Sequence, residues 1–320
     1  MRQRPTRLYY FSWAVIVLIL LTAIFGGMIK PHGITDADKI NLLKQQQNNQ
    51  ITYQKPPLPP GSTFLLGTDH RGYDLLSLLL NGLKYTLAIV LALTLLRMLF
   101  GTAWGLWVGV SGKGAFMLRA VHKVTSTVPA FLFIYPPVSG MYAALGLFFG
   151  SRANAESVML FTVIFVLMVT FFGVIPLAYQ VAERARYYND KQYVEVSRLM
   201  GGSILHRTIR HILPNMRLEL LFTTLSEFVQ VIFLIGQLAV FNIIVWGSER
   251  IDLDDVGVEA VNLTSHGEWV SLLTYGMTYV RSYPWIIVSA AAALSLLVLS
   301  VQLFLNQLKK RFDGTVGISK

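Results

Sequence analysis

DKQYVEVSRLMGGSILHRTIRHILPN, residues 190–215, is the longest positively charged interruption between two strongly apolar regions of the chain. It has internal order: a short apolar-periodic helix, a Gly201-Gly202 break, a second basic helix, then Pro214 before the next apolar run. Val194, Val196, Leu199 and Met200 can place apolar contacts on the first helix beside Glu195 and Arg198, a pattern suited to docking in a groove on a soluble partner. Gly201 permits a turn that a Cβ would hinder. Pro214 suits the start of a helix, where its missing amide would be unpaired anyway. Such a segment is built to touch a partner rather than to cross lipid.

Outward from this stretch the chain is apolar. Of its 320 residues 54% are hydrophobic and only 14% charged, with mean hydropathy +0.53, too greasy for an ordinary soluble domain. About 20 apolar residues cross a bilayer as a helix, and six such runs are expected: 8–29, 85–110, 124–149, 158–181, 218–246 and 283–305. The first is long for a cleaved leader and has no A-x-A site, so it reads as a retained span. Pro129 and Pro136-Pro137 should kink or break the third. The fold class is therefore an all-α integral membrane protein with six transmembrane helices. Its divisions are a tail and first helix (1–29), an external loop with a short amphipathic helix (30–84), a five-helix core (85–306) containing the loop 184–217, and a tail (307–320).

Lys and Arg decide the orientation. The two termini and the loops 111–123 and 183–217 hold 17 of them, against 9 in the opposite loops. Most of those 9 lie in the long 30–84 loop, and long loops weigh least in the positive-inside rule. Residues 190–215 and both termini are thus expected in the cytoplasm. The Gln/Asn tract 45–50 and Pro56-Pro57-Leu58-Pro59-Pro60 mark an extended external segment, read as a spacer.

The formal charge of +10 reflects these loops rather than nucleic acid binding, since no basic face interleaves with aromatics. Absence of cysteine removes thiol catalysis and Cys-ligated metal centres. Ser111-Gly112-Lys113-Gly114 lacks the remaining features of a phosphate loop, and no hydrolytic motif stands in a credible context. No catalytic or metal-binding residue is expected; His206 and His211, five apart, have poor spacing for one helix face. Arg97 and Glu227 fall at membrane depth, with Gln230 and Gln237 beyond Glu227. Such groups face protein or water. They either line a translocation pathway, where Arg97 and Glu227 can pair, or fix the bundle by interhelical hydrogen bonds.

Two motifs carry a resemblance. Glu195-Val196-Ser197, Gly201 and Leu213-Pro214, with Tyr193, Arg198 and Gly202, resemble the EAA loop of ABC importer permeases of the oligopeptide/dipeptide/nickel family. Leu66-Gly67-Thr68-Asp69, then Gly72 and Asp74, resembles the external LGTDxxGRD element of one of its two permease types. The match covers roughly residues 8–313. There are departures: Val196 and Ser197 replace two alanines, Tyr73 an arginine, His122 an acidic residue, and the terminal GDxxRD pattern is absent. The resemblance implies a divergent member with a type I (MetI-like) core. It would pair with a second permease in the cell membrane of a bacterium or archaeon, beside two cytoplasmic ATPases and an extracytoplasmic solute-binding protein. ATP and Mg would sit on those ATPases, with no cofactor on this chain, which would itself not be an enzyme. The implied cargo is a peptide, with nickel chelates or other solutes behind it. The alternatives are an ATP-independent carrier, which would want paired broken helices, and a permease-derived accessory protein.

Overall fold

A computed structural model describes residues 6–35, 38, 43–47, 50–145, 155–243, 248–252, 260–264 and 266–312. Ten helices are formed by the described residues: α1 (Arg7–Ile29), α2 (Leu75–Ser111), α3 (Ala115–Thr127), α4 (Ala130–Ala144), α5 (Ala155–Asn189), α6 (Gln192–Leu199), α7 (Ile204–Arg207), α8 (Leu213–Val240), α9 (Trp269–Thr278) and α10 (Pro284–Phe312). A π turn, Thr208–Ile212, joins α7 to α8. Two antiparallel hairpins add strand to the expected all-α fold: β1 (Leu43–Gln47) with β2 (Gln50–Gln54), and β3 (Ser248–Asp252) with β4 (Ala260–Thr264).

Among the described residues, five helical stretches are long and apolar enough to cross a membrane: Arg7–Ile29, Leu75–Ser111, Glu156–Asn189, Ile204–Val240 and Pro284–Phe312. The expected third span is the exception. Pro129 divides it, with Val128 held extended at φ −121° and ψ 136°, as a residue before proline must be. Pro136 and Pro137, by contrast, lie inside α4 without ending it. Residues 146–149 of the expected third span, Arg152 in the loop after it, 244–246 of the fifth, Asp254, Asp255 and Glu259 of the acidic loop, and 313–320 of the tail lie outside the described residues.

The helix starts follow local chemistry. Asp74 caps α2 by accepting from the Leu76 and Ser77 amides, satisfying donors that have no partner in the first turn. The short surface helix expected before residue 85 does not exist separately: Leu75, Leu78, Leu79 and Leu83 are buried in the first turns of α2. Helix α9 was not expected at all. Glu268 caps it, its carboxylate accepting from the Val270 and Ser271 amides.

The bundle is organised by a seam between α2 and α5. A Cβ on Gly101 would lie 2.5 Å from Leu177; one on Gly105 would lie 2.7 Å from Val181, and one on Gly109 2.7 Å from Ala185. Both residue numbers rise together, so these helices run parallel, as close as three glycines one turn apart allow. Along α5 the pairs Arg119–Glu183, His122–Tyr179, Phe133–Phe172 and Tyr142–Phe161 run the opposite way. Helices α3 and α4 together therefore retrace α5 from its C-terminal part towards its start.

Candidate functional site

Helix α6 and the turn after it project from the end of the bundle that carries the basic loops. The helix ends in a Schellman turn: the Gly202 amide donates to Ser197 O at 2.8 Å and the Gly201 amide to Arg198 O at 3.0 Å. Gly201 stands at φ +84°, a left-handed conformation that disfavours any side chain. Gly202 has its own constraint, since a Cβ there would lie 2.7 Å from Ser197 O.

Sequence-expected contacts fall on both sides of this helix. Val194 is fully buried, whereas Leu199 and Met200 are about four-fifths exposed, joined by exposed Tyr193, Val196, Leu205 and Ile209. Tyr193, Val196, Leu199 and Met200 lie outside the long apolar stretches, where exposed apolar groups are suited to an interaction surface. Glu195 and Arg198 pair at 2.8 Å on the exposed face. Partial burial pushes the Tyr193 phenol up from its ordinary range. The second helix is anchored by Arg207 Nη1, which donates to Asn189 Oδ1 at 3.2 Å.

Pro214 explains the π turn. It lacks an amide, and its ring crowds the carbonyl one turn earlier. The helix widens, the Leu213 amide reaches Thr208 O, and Asn215 Nδ2 donates to His211 O at 2.6 Å. Widening also brings His206 and His211 together, ring centroids 5.8 Å apart, although a spacing of five separates them on an α-helix. Among the described residues no group of three or more His, Asp or Glu could hold a metal ion.

The four polar residues at membrane depth divide into two sets. Arg97 and Glu227 are buried and paired at 3.5 Å, and Arg97 Nε and Nη2 also donate to Val169 O at 3.1 and 2.8 Å. Gln230 and Gln237 lie instead on an exposed face of α8 with Phe233 and Val240. The ion pair and the glutamines therefore do not form one lining.

The element at residues 67–74, expected outside the cell, is a buried knot rather than an open loop. Gly67 and Gly72 stand at positive φ. Thr68 Oγ1 accepts from the Leu58 amide, and the Asp69 carboxylate accepts from the Arg71 and Tyr73 amides and from the Arg71 guanidinium at 2.9 Å. Burial pushes Asp69 up while Arg71 and these amides pull it down. His70 closes the knot onto α9: its amide donates to Tyr275 Oη at 3.1 Å, its ring contacts the same hydroxyl, and it packs on Tyr279 and Tyr283. Burial holds its imidazole down at about 4. Asp74 adds the cap of α2 and meets His32 Nδ1 at 3.2 Å.

Three features went unread in the sequence. The Gly101, Gly105, Gly109 spacing was visible as a repeated small residue every fourth position. Glu268 was visible as a capping acid before an apolar run, and it also accepts from Thr86 Oγ1 of α2 at 3.1 Å; burial pushes its carboxyl up. The contact of Tyr275 with His70 spans 205 positions and had no local signal.

The model of the binding-protein-dependent transport system inner membrane component family matches residues 97–314, more than half the chain. A Brucella suis protein described provisionally as a peptide transport system permease is 24% identical over 99% of this chain and 90% of its own length. The dipeptide transport system permease protein DppC of Lactococcus lactis subsp. cremoris is 22% identical over 82% of this chain and 66% of its own. The oligopeptide transport system permease protein OppC of Bacillus subtilis is 25% identical over 70% and 63% respectively.

Proposed function

The chain belongs to the binding-protein-dependent transport system inner membrane component family, and we propose on that premise that it is a transmembrane permease subunit of an ATP-driven ABC importer of peptides. The relatives named for peptide, dipeptide and oligopeptide transport support that cargo class. The observation that carries the mechanism is the exposed apolar face of α6, held outside the spans by the Gly201 turn. It is a docking face for a cytoplasmic ATPase, in the helix-in-groove mode.

In this reading ATP and Mg act on two separate ATPase subunits, and this chain performs no hydrolysis. The importer is completed by a second permease and an extracytoplasmic binding protein. Closure of the ATPases shifts α6, and the spans exchange an inward-open for an outward-open path. Gln230 and Gln237 line that path or the boundary with the second permease, because an amide facing lipid is unfavourable. Arg97 and Glu227 brace it from behind.

Six crossings are part of the proposal. Helices α2 and α5 run parallel, so the chain between them must return across the bilayer. The pairs from Arg119–Glu183 to Tyr142–Phe161 extend along α5 for about 33 Å at 1.5 Å per residue, which is a bilayer's hydrocarbon depth. The split pair α3–α4 thus makes the third crossing, and both termini lie in the cytoplasm, in agreement with the positive charge there.

The test is assembly. Purified with its two ATPases, the chain should lose them when Met200 and Leu199 are changed to Asp while still inserting in the membrane. ATPases that stay bound to this variant would show that α6 is not the docking face.

A further inference from the structure

Helix α6 is exposed along most of its length, yet Val194 in its first turn is fully buried and is its one buried residue. Val194 belongs to a cluster with Leu106 and Val110 from the end of α2, Leu177, Val181 and Ala185 from α5, Ile212 from the end of the π turn and Met216 from the first turn of α8. The face that can meet a partner and the side chain that enters the bundle are thus on opposite sides of one short helix.

The two walls of this cluster differ in stiffness. On the α2–α5 side the glycine seam brings Gly105 and Gly109 against Ala178, Val181, Ala182 and Ala185, so that wall has no slack. On the α8 side Ile212 closes the π turn and Met216 follows Pro214. A π turn inside a helix is rare and is found frequently at functional sites. A branched Cβ such as that of Val194 is held to few side-chain rotamers, so it transmits displacement rather than absorbing it.

We propose that Val194 is the wedge through which movement of α6 reaches α8. The α2–α5 seam acts as the fixed wall, and Ile212 and Met216 receive the displacement. Helix α8 then turns about the π segment and carries the Gln230–Gln237 face with it. Val194 is a positioning residue: it touches neither cargo nor ATP. The proposal rests on the importer reading above and adds which residue does the coupling.

The experiment uses the whole transporter in proteoliposomes, measuring uptake and ATP hydrolysis together. Val194→Ala leaves Val196, Leu199 and Met200 in place, so the ATPases should remain bound. Uptake per ATP hydrolysed should then fall about tenfold, a coupling change of the size single buried substitutions produce. Val194→Ile, which keeps the branched Cβ, should restore that ratio. Should Val194→Ala fail to accumulate, Ile212→Val trims the receiving wall by one methylene and carries the same expected fall. An unchanged ratio in the accumulating variant overturns the wedge, as does loss of the ATPases from it. Uptake by the unaltered transporter that ignores ATP would instead refute the importer reading, so the two failures are distinguishable.

Discussion

Arg97 of α2 and Glu227 of α8 meet at 3.5 Å, Nη1 to Oε2, with their side chains 4% and 2% exposed. The same guanidinium donates twice to Val169 O of α5, so one side chain ties three spans. The ionic contact is longer than a charge-assisted hydrogen bond, and Glu227 Oε2 has no hydrogen bond of its own. This makes the pair a brace whose members depend on each other.

Removing one member should therefore cost more than removing both. Arg97→Leu or Glu227→Leu alone leaves a buried charge and should lower stability by roughly 3 kcal/mol, whereas the double variant should recover most of the loss. Thermal unfolding of the four proteins in detergent checks this as a double-mutant cycle. Additive losses would mean the two charges do not interact.

The glycine seam predicts a graded response to size. A Cβ at Gly105 would stand 2.6 Å from Ala178 O and at Gly109 2.5 Å from Ala182 O, both backbone atoms that cannot step aside. Gly109→Ala should cost about 1–3 kcal/mol as overpacking, and Gly109→Leu should abolish accumulation. Expression followed by size-exclusion profiles reads the series. By contrast, Gly140, where a Cβ meets nothing within 4 Å, should accept alanine without effect.

The knot at residues 67–74 predicts a pH dependence. His70 has its folded pKa lowered to about 4 from a usual 6.5. Between those values the unfolded chain binds a proton that the folded chain does not, so stability rises with pH. It should be complete above pH 6.5 and decline as pH falls towards 4. Asp69 and Glu268, both raised, act in the opposite sense. The comparison is therefore between the native chain and His70→Gln. The variant should lose less of its unfolding temperature from pH 7 to 4.5. Parallel pH curves would contradict the assignment.

The proposed docking role of the α6 loop predicts function lost without loss of insertion. Gly201→Pro demands φ near −65° where the turn has +84°. Glu195→Lys replaces the exposed pair with Arg198 by two like charges. Both should abolish ATP-coupled uptake while the protein inserts at normal levels, measured by membrane fractionation beside transport. Normal uptake in both would mean the loop is an ordinary basic connector.

These relationships were unequally legible in the sequence. The α6 segment was readable because its information is local: a helix of eight residues, a glycine that needs positive φ, and a proline at a helix start. Arg97 and Glu227 were visible as charges at depth, but their pairing depends on how α2 and α8 pack. The third apolar run was read as one span that Pro129 or Pro136-Pro137 would kink or break, and Pro129 divides it. Pro136 and Pro137 stay helical, so a proline alone did not say which would break. Helix α9 was missed because ten residues are too few for a span and its burial comes from contacts with α2, α8 and α10. The His206–His211 proximity was judged by α-helical spacing, and the π turn changed that spacing.

In the proposed function this chain moves peptide only when separate ATPases hydrolyse ATP. The most direct measurement is uptake of a labelled peptide into proteoliposomes containing this chain, its partner permease, the binding protein and either active ATPases or ones unable to hydrolyse ATP. Uptake with active ATPases and none with the inactive ones is the predicted result. Uptake that continues at the same rate with inactive ATPases would contradict it.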